Sequence, residues 1–514
     1  MSRPLVLAAL ALLIICGLAP IGAMLPRIEL PHLLALTEDR SLGLLGRTLL
    51  LGLSSSLLAL LVGLPFGLLT TLTELPAARL LRPAALIPLL LPPIFLAITW
   101  TQLVDLRGAP ATALLLAAAT FPLPALFTAR AAQRIDGASL EAARLAGGTR
   151  AALAMALPLV LPPALCGTAL AFVFTVNDFA VPDFVSSVGP KFNVYADEVF
   201  SAWQTRTDTG AAVASALPLV ALTLLALFPA LALRRRGAFA TLGRRGRPTR
   251  PLPLGPWGKL LFLPAAALVA TSALCPLLRL LYEAGGGPRG WSLAAFREAF
   301  AYAIDLCRSN LLTSITCAAL AATLTSVLGL ILGHALERLR RRTLARALEL
   351  ATLLPLAVPA VLFGIGEIVL WNHALTADFY NSPALVVLLY CGRFLPLAIL
   401  VCAGAVASLG PQLEEAAAIS GAGPLRRLTT IVAPPLLPAL GGAWILVFVL
   451  SMRELDAAIL VPAANSTVIF RIFNAIHFGR DDFVAALCLI SAFVTVLPTL
   501  LWGLLSRRSL RILP

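Results

Sequence analysis

The chain has 514 residues, 59% of them hydrophobic and only 12% charged. So few charges could not cover the surface of a soluble protein of this length, which excludes the water-soluble globular classes. The net charge of +14 would suggest nucleic acid in a soluble chain, but these charges sit in short gaps between apolar runs and so describe membrane topology; no nucleic-acid partner is expected.

Many apolar runs reach the ~20 residues that cross a bilayer as a helix, and no ten-residue alternation of the barrel type is present. Backbone groups inside lipid must be satisfied within each segment, so the spans are α-helical. In chain order they are expected at 5–25, 48–70, 84–103, 111–129, 159–181, 210–233, 260–282, 309–336, 349–371, 383–408, 436–461 and 483–505. The first run follows Arg3 as a signal peptide would, but it is as long as a full span and no A-x-A site closes it, so it is read as a transmembrane helix. The fold class is therefore an all-α integral membrane protein of about twelve transmembrane helices. The Arg/Gly/Pro stretch 234–258 has no apolar periodicity and reads as a cytoplasmic linker between two six-helix halves, 1–233 and 259–514. Arginines at 234–236, 244–250, 338–346, 426–427 and 507–511 fall on one side when the spans are counted, which places both termini in the cytoplasm.

The halves repeat one another. Leu91-Pro92-Pro93 is matched by Val358-Pro359-Ala360. Glu141-Ala142-Ala143, with Gly147 six residues after the glutamate, is matched by Glu415-Ala416-Ala417 with Gly421 at the same spacing. Pro158 and Pro162 follow the first copy, Pro434 and Pro438 the second. An equal number of spans per half makes these parallel repeats. In the second copy Glu and Ala favour helix, Gly421 can end it in the left-handed conformation, and Pro424 blocks simple continuation. Each copy is expected to form a helix–glycine–helix elbow on the cytoplasmic surface, at about 136–158 and 410–434. Its short alanines let another protein approach the backbone, and its Glu and Arg can pair with that partner's charges.

A second repeated feature follows the prolines. Asp178 stands at the same spacing after Pro162 as Glu454 does after Pro438. Ionisable groups at membrane depth are costly and usually face a cavity or a partner, so Asn177, Asp178, Arg453 and Glu454 are candidates for the pathway or its outer gate. The competing reading places both carboxylates at outer helix ends in water, or makes Arg453 and Glu454 a structural ion pair. The outward segments are 182–208 and 462–482; Lys191, Tyr195, Asp197, Glu198, Trp203 and Arg206 give the first a mixed charged and aromatic face suited to docking another protein.

The eight cysteines are scattered singly, and His32, His334, His373 and His477 are isolated, so no metal site, haem, disulfide frame or other cofactor is expected. No GxxxxGK[ST] phosphate loop and no hydrolytic triad occur, so the chain is not expected to bind and hydrolyse ATP or to be an enzyme.

On the paired Glu-Ala-Ala…Gly loops, the chain resembles the permease subunits of type I ABC importers, whose loop of this kind docks into the ATPase. The first copy departs from the usual spacing, with Gly147 to Pro158 two residues shorter than Gly421 to Pro434, which implies a tighter or differently angled elbow. The fused layout, with Ser451-Met452-Arg453-Glu454-Leu455-Asp456, is most similar to ferric-iron permeases. The resemblance implies two ATP-binding subunits, a periplasmic substrate-binding protein and the bacterial inner membrane. Thiamine, polyamine and phosphonate importers are the alternatives within the class. An ion-gradient-driven secondary transporter is the alternative outside it, and it would need no docking elbow.

Overall fold

A computed structural model describes residues 3–104, 106–206, 208–235, 249–286, 290–339, 341–460, 462, 466–476 and 481–505. The middle of the linker (236–248), His477, Arg480 and the C-terminal arginines Arg507, Arg508 and Arg511 lie outside these residues. Among the described residues ten helices are long and apolar enough to cross a membrane, and the number reaches twelve if each of two bent helix pairs is counted as one span. Span 1 is Pro4–Arg27, span 2 Asp39–Leu72, span 4 Gly108–Ala132, span 5 Gly137–Val176 and span 6 Thr209–Pro229. Span 7 is Trp257–Ala284, span 8 Leu293–Arg338, span 10 Pro383–Ser408, span 11 Pro424–Met452 and span 12 Asp481–Gly503.

Spans 3 and 9 are the bent pairs, Ala78–Leu90 with Pro93–Leu103 at 97° and Thr343–Ala357 with Ala360–Trp371 at 101°. They break at the two matched proline sites. Leu91 and Val358 are extended (ψ 147° and 131°) because each precedes a proline, whose ring disfavours the helical region there. The runs expected as spans at 84–103 and 349–371 each contain such a corner. Spans 5 and 11 also end earlier than expected, at Val176 and Met452. Polar residues stand at both ends, Asn177-Asp178 and Arg453-Glu454, and the two carboxylates cap the turns that follow, as described below.

The helices form two compact units, one of Met1–Leu33, Val199–Ala214 and Glu283–Pro514, the other of Leu34–Glu198 and Ser215–Tyr282. These differ from the halves of the sequence repeat in one respect above all: the first span of each half belongs with the spans of the other half. In the first unit span 1 is seated on spans 9 and 10. Gly392 lies directly against the Cys16 carbonyl and Gly366 against the Pro20 carbonyl, so any side chain at either place would collide with backbone. In the second unit Ala265 and Val269 of span 7 join a core with Ala59, Phe66, Leu81, Phe121 and Ala171. Phe66 and Phe121 meet edge to face at 6.0 Å there.

Candidate functional site

The second elbow is built as its sequence suggests. Its helix runs Gln412–Ile419, and Gly421 follows at φ +80°. The Ala422 N–H donates to the Ala417 carbonyl at 2.9 Å and the Gly421 N–H to the Ala418 carbonyl at 3.1 Å. These are the two bonds of a Schellman motif, which satisfies the last carbonyls of the helix and needs a left-handed residue at this place. Pro424 then opens the next helix.

The first elbow is different. The Asp136 carboxylate caps its helix by accepting from the Ser139 N–H at 3.1 Å. The helix is then continuous through Val176 apart from a kink, with Gly147 at φ −156°, ψ 22° and Gly148 at φ +72°, ψ −169°. The position that requires glycine is therefore Gly148, since this region of backbone space is essentially closed to other residues. Just past the kink, Thr149 Oγ1 donates to the Pro253 carbonyl at 2.8 Å. The neighbouring Leu252 is itself bridged to the end of span 2, its N–H donating to Leu72 at 2.7 Å and its carbonyl accepting from Glu74 at 2.9 Å. The described end of the linker thus underlies the first elbow.

The motif residues lie on the surface. Ala142, Glu415 and Ala416 are exposed, Ala143 and Ala417 half-buried, and both Gly147 and Gly421 exposed. Glu141 pairs with Arg144 at 2.6 Å within its own helix. Sequence reasoning missed two neighbours: Leu145 and Ile419, each four residues after its motif glutamate, are 78% and 89% exposed. The signal was available in the repeat, because both copies put a large apolar residue at that spacing.

Glu414, one residue before the second motif, was also missed. Its Oε2 meets His334 Nε2 at 2.7 Å and its Oε1 accepts from Arg338 Nε at 3.0 Å, while Arg338 Nη2 also donates to the Leu409 carbonyl at 2.8 Å. Burial raises the Glu414 carboxyl, but the hydrogen bonds and charges of His334 and Arg338 outweigh this and hold it below its ordinary value.

The paired carboxylates sit just past helix ends. Asp178 Oδ1 accepts from the Val181 N–H at 2.9 Å, and Glu454 Oε1 accepts from the Ala457 N–H at 3.1 Å. Both therefore close the turn three residues on. Asn177 donates to the Val173 carbonyl at 2.8 Å and to Thr223 Oγ1 at 3.1 Å. The cation facing Glu454 is Arg393 of span 10, with Nε to Oε2 at 3.1 Å, rather than the adjacent Arg453. Arg393 also donates to the Val358 carbonyl at 3.2 Å, a group freed by the break in span 9.

The segment after span 5, expected to face outward, is less open than its composition suggests. Tyr195 is buried and its N–H donates to Thr48 Oγ1 at 2.9 Å. Glu198 pairs with Arg40 at 2.7 Å, and Lys191 is exposed. The Asp197 carboxyl is pushed up to about 7, first by burial and then by the negative charges of Asp183, Asp178 and Glu198, against the Val194 N–H that its other oxygen accepts. The side chain of Arg206 lies outside the described residues. Among the described residues no group of three or more His, Cys, Asp or Glu is placed to hold a metal ion.

Comparison with known proteins accounts for the repeat. The pattern of the family described as binding-protein-dependent transport system inner membrane component matches residues 63–238 and again 325–513. The putrescine transport system permease protein PotI of Escherichia coli (strain K12) is 26% identical over 268 residues, covering 50% of this chain and 93% of that protein. The probable ABC transporter permease protein y4fN of Sinorhizobium fredii is 28% identical over 336 residues, 61% of this chain and 57% of that protein. The putative ferric transport system permease protein FbpB 1 of Haemophilus influenzae is 28% identical over 164 residues, 32% of this chain and 26% of that protein. With the family's region present twice over most of its length, the chain belongs to the inner membrane components of binding-protein-dependent transport systems, as a fused two-half permease of a type I ABC importer.

Proposed function

We propose that the chain forms the path by which a small cation, released from a periplasmic binding protein, enters the cytoplasm, with two ATP-binding subunits docked on the elbows. The observation that carries the docking is the matched exposure of Leu145 and Ile419, 78% and 89%. A single exposed apolar side chain is ordinary. The same exposed position in two copies of one capped elbow suits a knob that enters a groove on a partner, with the alanines allowing close approach. Nucleotide-driven closure of the partners would move both elbows, provided that the nucleotide state favours one arrangement of the spans over the other.

Ferric iron is the first substrate reading, from the likeness of the Ser451–Asp456 segment to ferric permeases. Putrescine is the second, favoured by the likeness to PotI across 93% of that protein. Both cargos are cations. In proteoliposomes holding the permease, its ATP-binding subunits and its binding protein, labelled ferric iron and putrescine are offered in parallel. ATP-dependent uptake of either supports a cation path, and uptake of neither refutes both substrate readings. For the docking, Leu145→Asp and Ile419→Asp together should abolish co-purification of the ATP-binding subunits while leaving membrane insertion intact. Undiminished co-purification by the double variant would remove the elbows from the interface.

A further inference from the structure

The second elbow is held by a polar triad at the place where the first is held by leucines. The register between the halves is fixed by close helix crossings. Gly63 and Gly67 of span 2 lie against the backbone of Phe121 and Ala125 in span 4, and Gly329 and Gly333 of span 8 lie against the backbone of Ala398, Ile399 and Ala403 in span 10. The offset that carries the first glycine pair onto the second also carries Leu68 onto His334 and Leu72 onto Arg338. The offset that carries Glu141 onto Glu415 likewise carries Leu140 onto Glu414. In the first elbow these three positions belong to one core: Leu68, Leu72 and Leu140 are 7%, 0% and 2% exposed in a cluster that includes Leu252. In the second elbow the same three positions are His334, Arg338 and Glu414, joined at 2.7 Å and 2.9 Å.

We propose that His334, Arg338 and Glu414 are positioning residues that clamp the second elbow to the end of span 8, and that this directional clamp replaces the apolar seat of the first. The inference rests on reading the elbows as docking surfaces. Apolar contacts tolerate small slips because they have no direction. A carboxylate held by a ring nitrogen and a guanidinium allows one geometry. The second elbow is therefore tied in direction to the end of span 8 by charge, whereas the first is seated on span 2 by apolar packing, with the linker bonds of Thr149 and Leu252 beside it. Truncating one partner leaves the other two charges or donors half-buried without their match, while replacing all three with leucine reproduces the first elbow.

The test uses the whole transporter with its ATP-binding subunits, in a chain whose native cysteines are replaced. Spin labels are placed at Ala418 and at Leu324, both exposed. The expected result is a narrow distance distribution that broadens in Glu414→Leu and narrows again in the triple variant His334→Leu, Arg338→Leu, Glu414→Leu. ATP hydrolysis by the complex should fall about tenfold or more in the single variant and recover in the triple one. Glu414→Gln, which keeps an acceptor and loses the charge, should lie between, and it serves if Glu414→Leu fails to insert. An unchanged distribution in both Glu414 variants overturns the clamp, as does a triple variant as broad as the single. Distances that behave as expected with unchanged hydrolysis and subunit association would keep the clamp and refute the docking role of the elbows.

Discussion

Arg393 offers the sharpest test of how the second half is held together. Its guanidinium and the Glu454 carboxylate are each 9% exposed as residues, and they meet at 3.1 Å. The same guanidinium satisfies the Val358 carbonyl at the corner of span 9. Arg393→Met keeps the bulk of the side chain but strands a buried carboxylate and a buried carbonyl. Breaking such a pair costs about 3–5 kcal/mol, and the lost carbonyl bond adds about 1 kcal/mol. At roughly 2–4 °C per kcal/mol for a unit of this size, the melting temperature should fall by about 10 °C or more. Glu454→Met added to Arg393→Met removes the stranded charge and should recover more than half of the loss. A thiol-reactive dye can report the unfolding, because every cysteine but Cys275 is buried, and Cys275 can be replaced by serine. A fall of less than about 3 °C for Arg393→Met, or a double variant no better than the single, would show that the pair does not bind spans 9, 10 and 11 together.

Gly148→Val and Gly421→Val place a β-branched residue at positive φ, which costs about 1–3 kcal/mol; both should lower ATP-binding-subunit association about tenfold, with Gly147→Val milder than Gly148→Val. The Asp197 carboxyl, raised to about 7 from 3.8, stabilises its segment fully below pH 3.8, and this contribution is lost as pH rises through about 7. Hydrogen exchange of residues 194–203, corrected for intrinsic rates, should therefore speed up between pH 5 and pH 8, and Asp197→Asn should flatten that slope. Asp178→Asn tests the gate without breaking the Arg393–Glu454 pair: reduced uptake with intact expression and subunit association is the expected outcome, and normal uptake at limiting substrate leaves Asp178 as a turn cap.

What was legible in the sequence was whatever repeats along it. The spans are set by the bilayer's demand for about 20 apolar residues, which composition records position by position. Gly421 could be placed because a Schellman turn has a local signature. The two corners were half legible. The matched prolines mark where spans 3 and 9 break, but an apolar run with a proline inside it reads the same whether the helix bends slightly or turns by 97°. Gly148 was hidden for a similar reason, since two adjacent glycines offer two places for the kink and the spacing pointed to the first.

What was not legible depends on partners far apart in the chain. Arg393 lies within an apolar run, and its carboxylate is 61 residues away; His334 looked isolated because Glu414 is 80 residues on. The seat of span 1 could not be read at all, because an all-round apolar helix carries no pattern naming which neighbours will cover it. Gly366 and Gly392 supply that information only once the backbone contacts are known. The same limit explains why the duplication conceals its asymmetry. Leu68, Leu72 and Leu140 against His334, Arg338 and Glu414 look like unrelated substitutions when taken singly. They form one exchange because the three positions share one core in the first half and one ion-paired group in the second, so an apolar seat becomes a polar clamp only when all three have changed together.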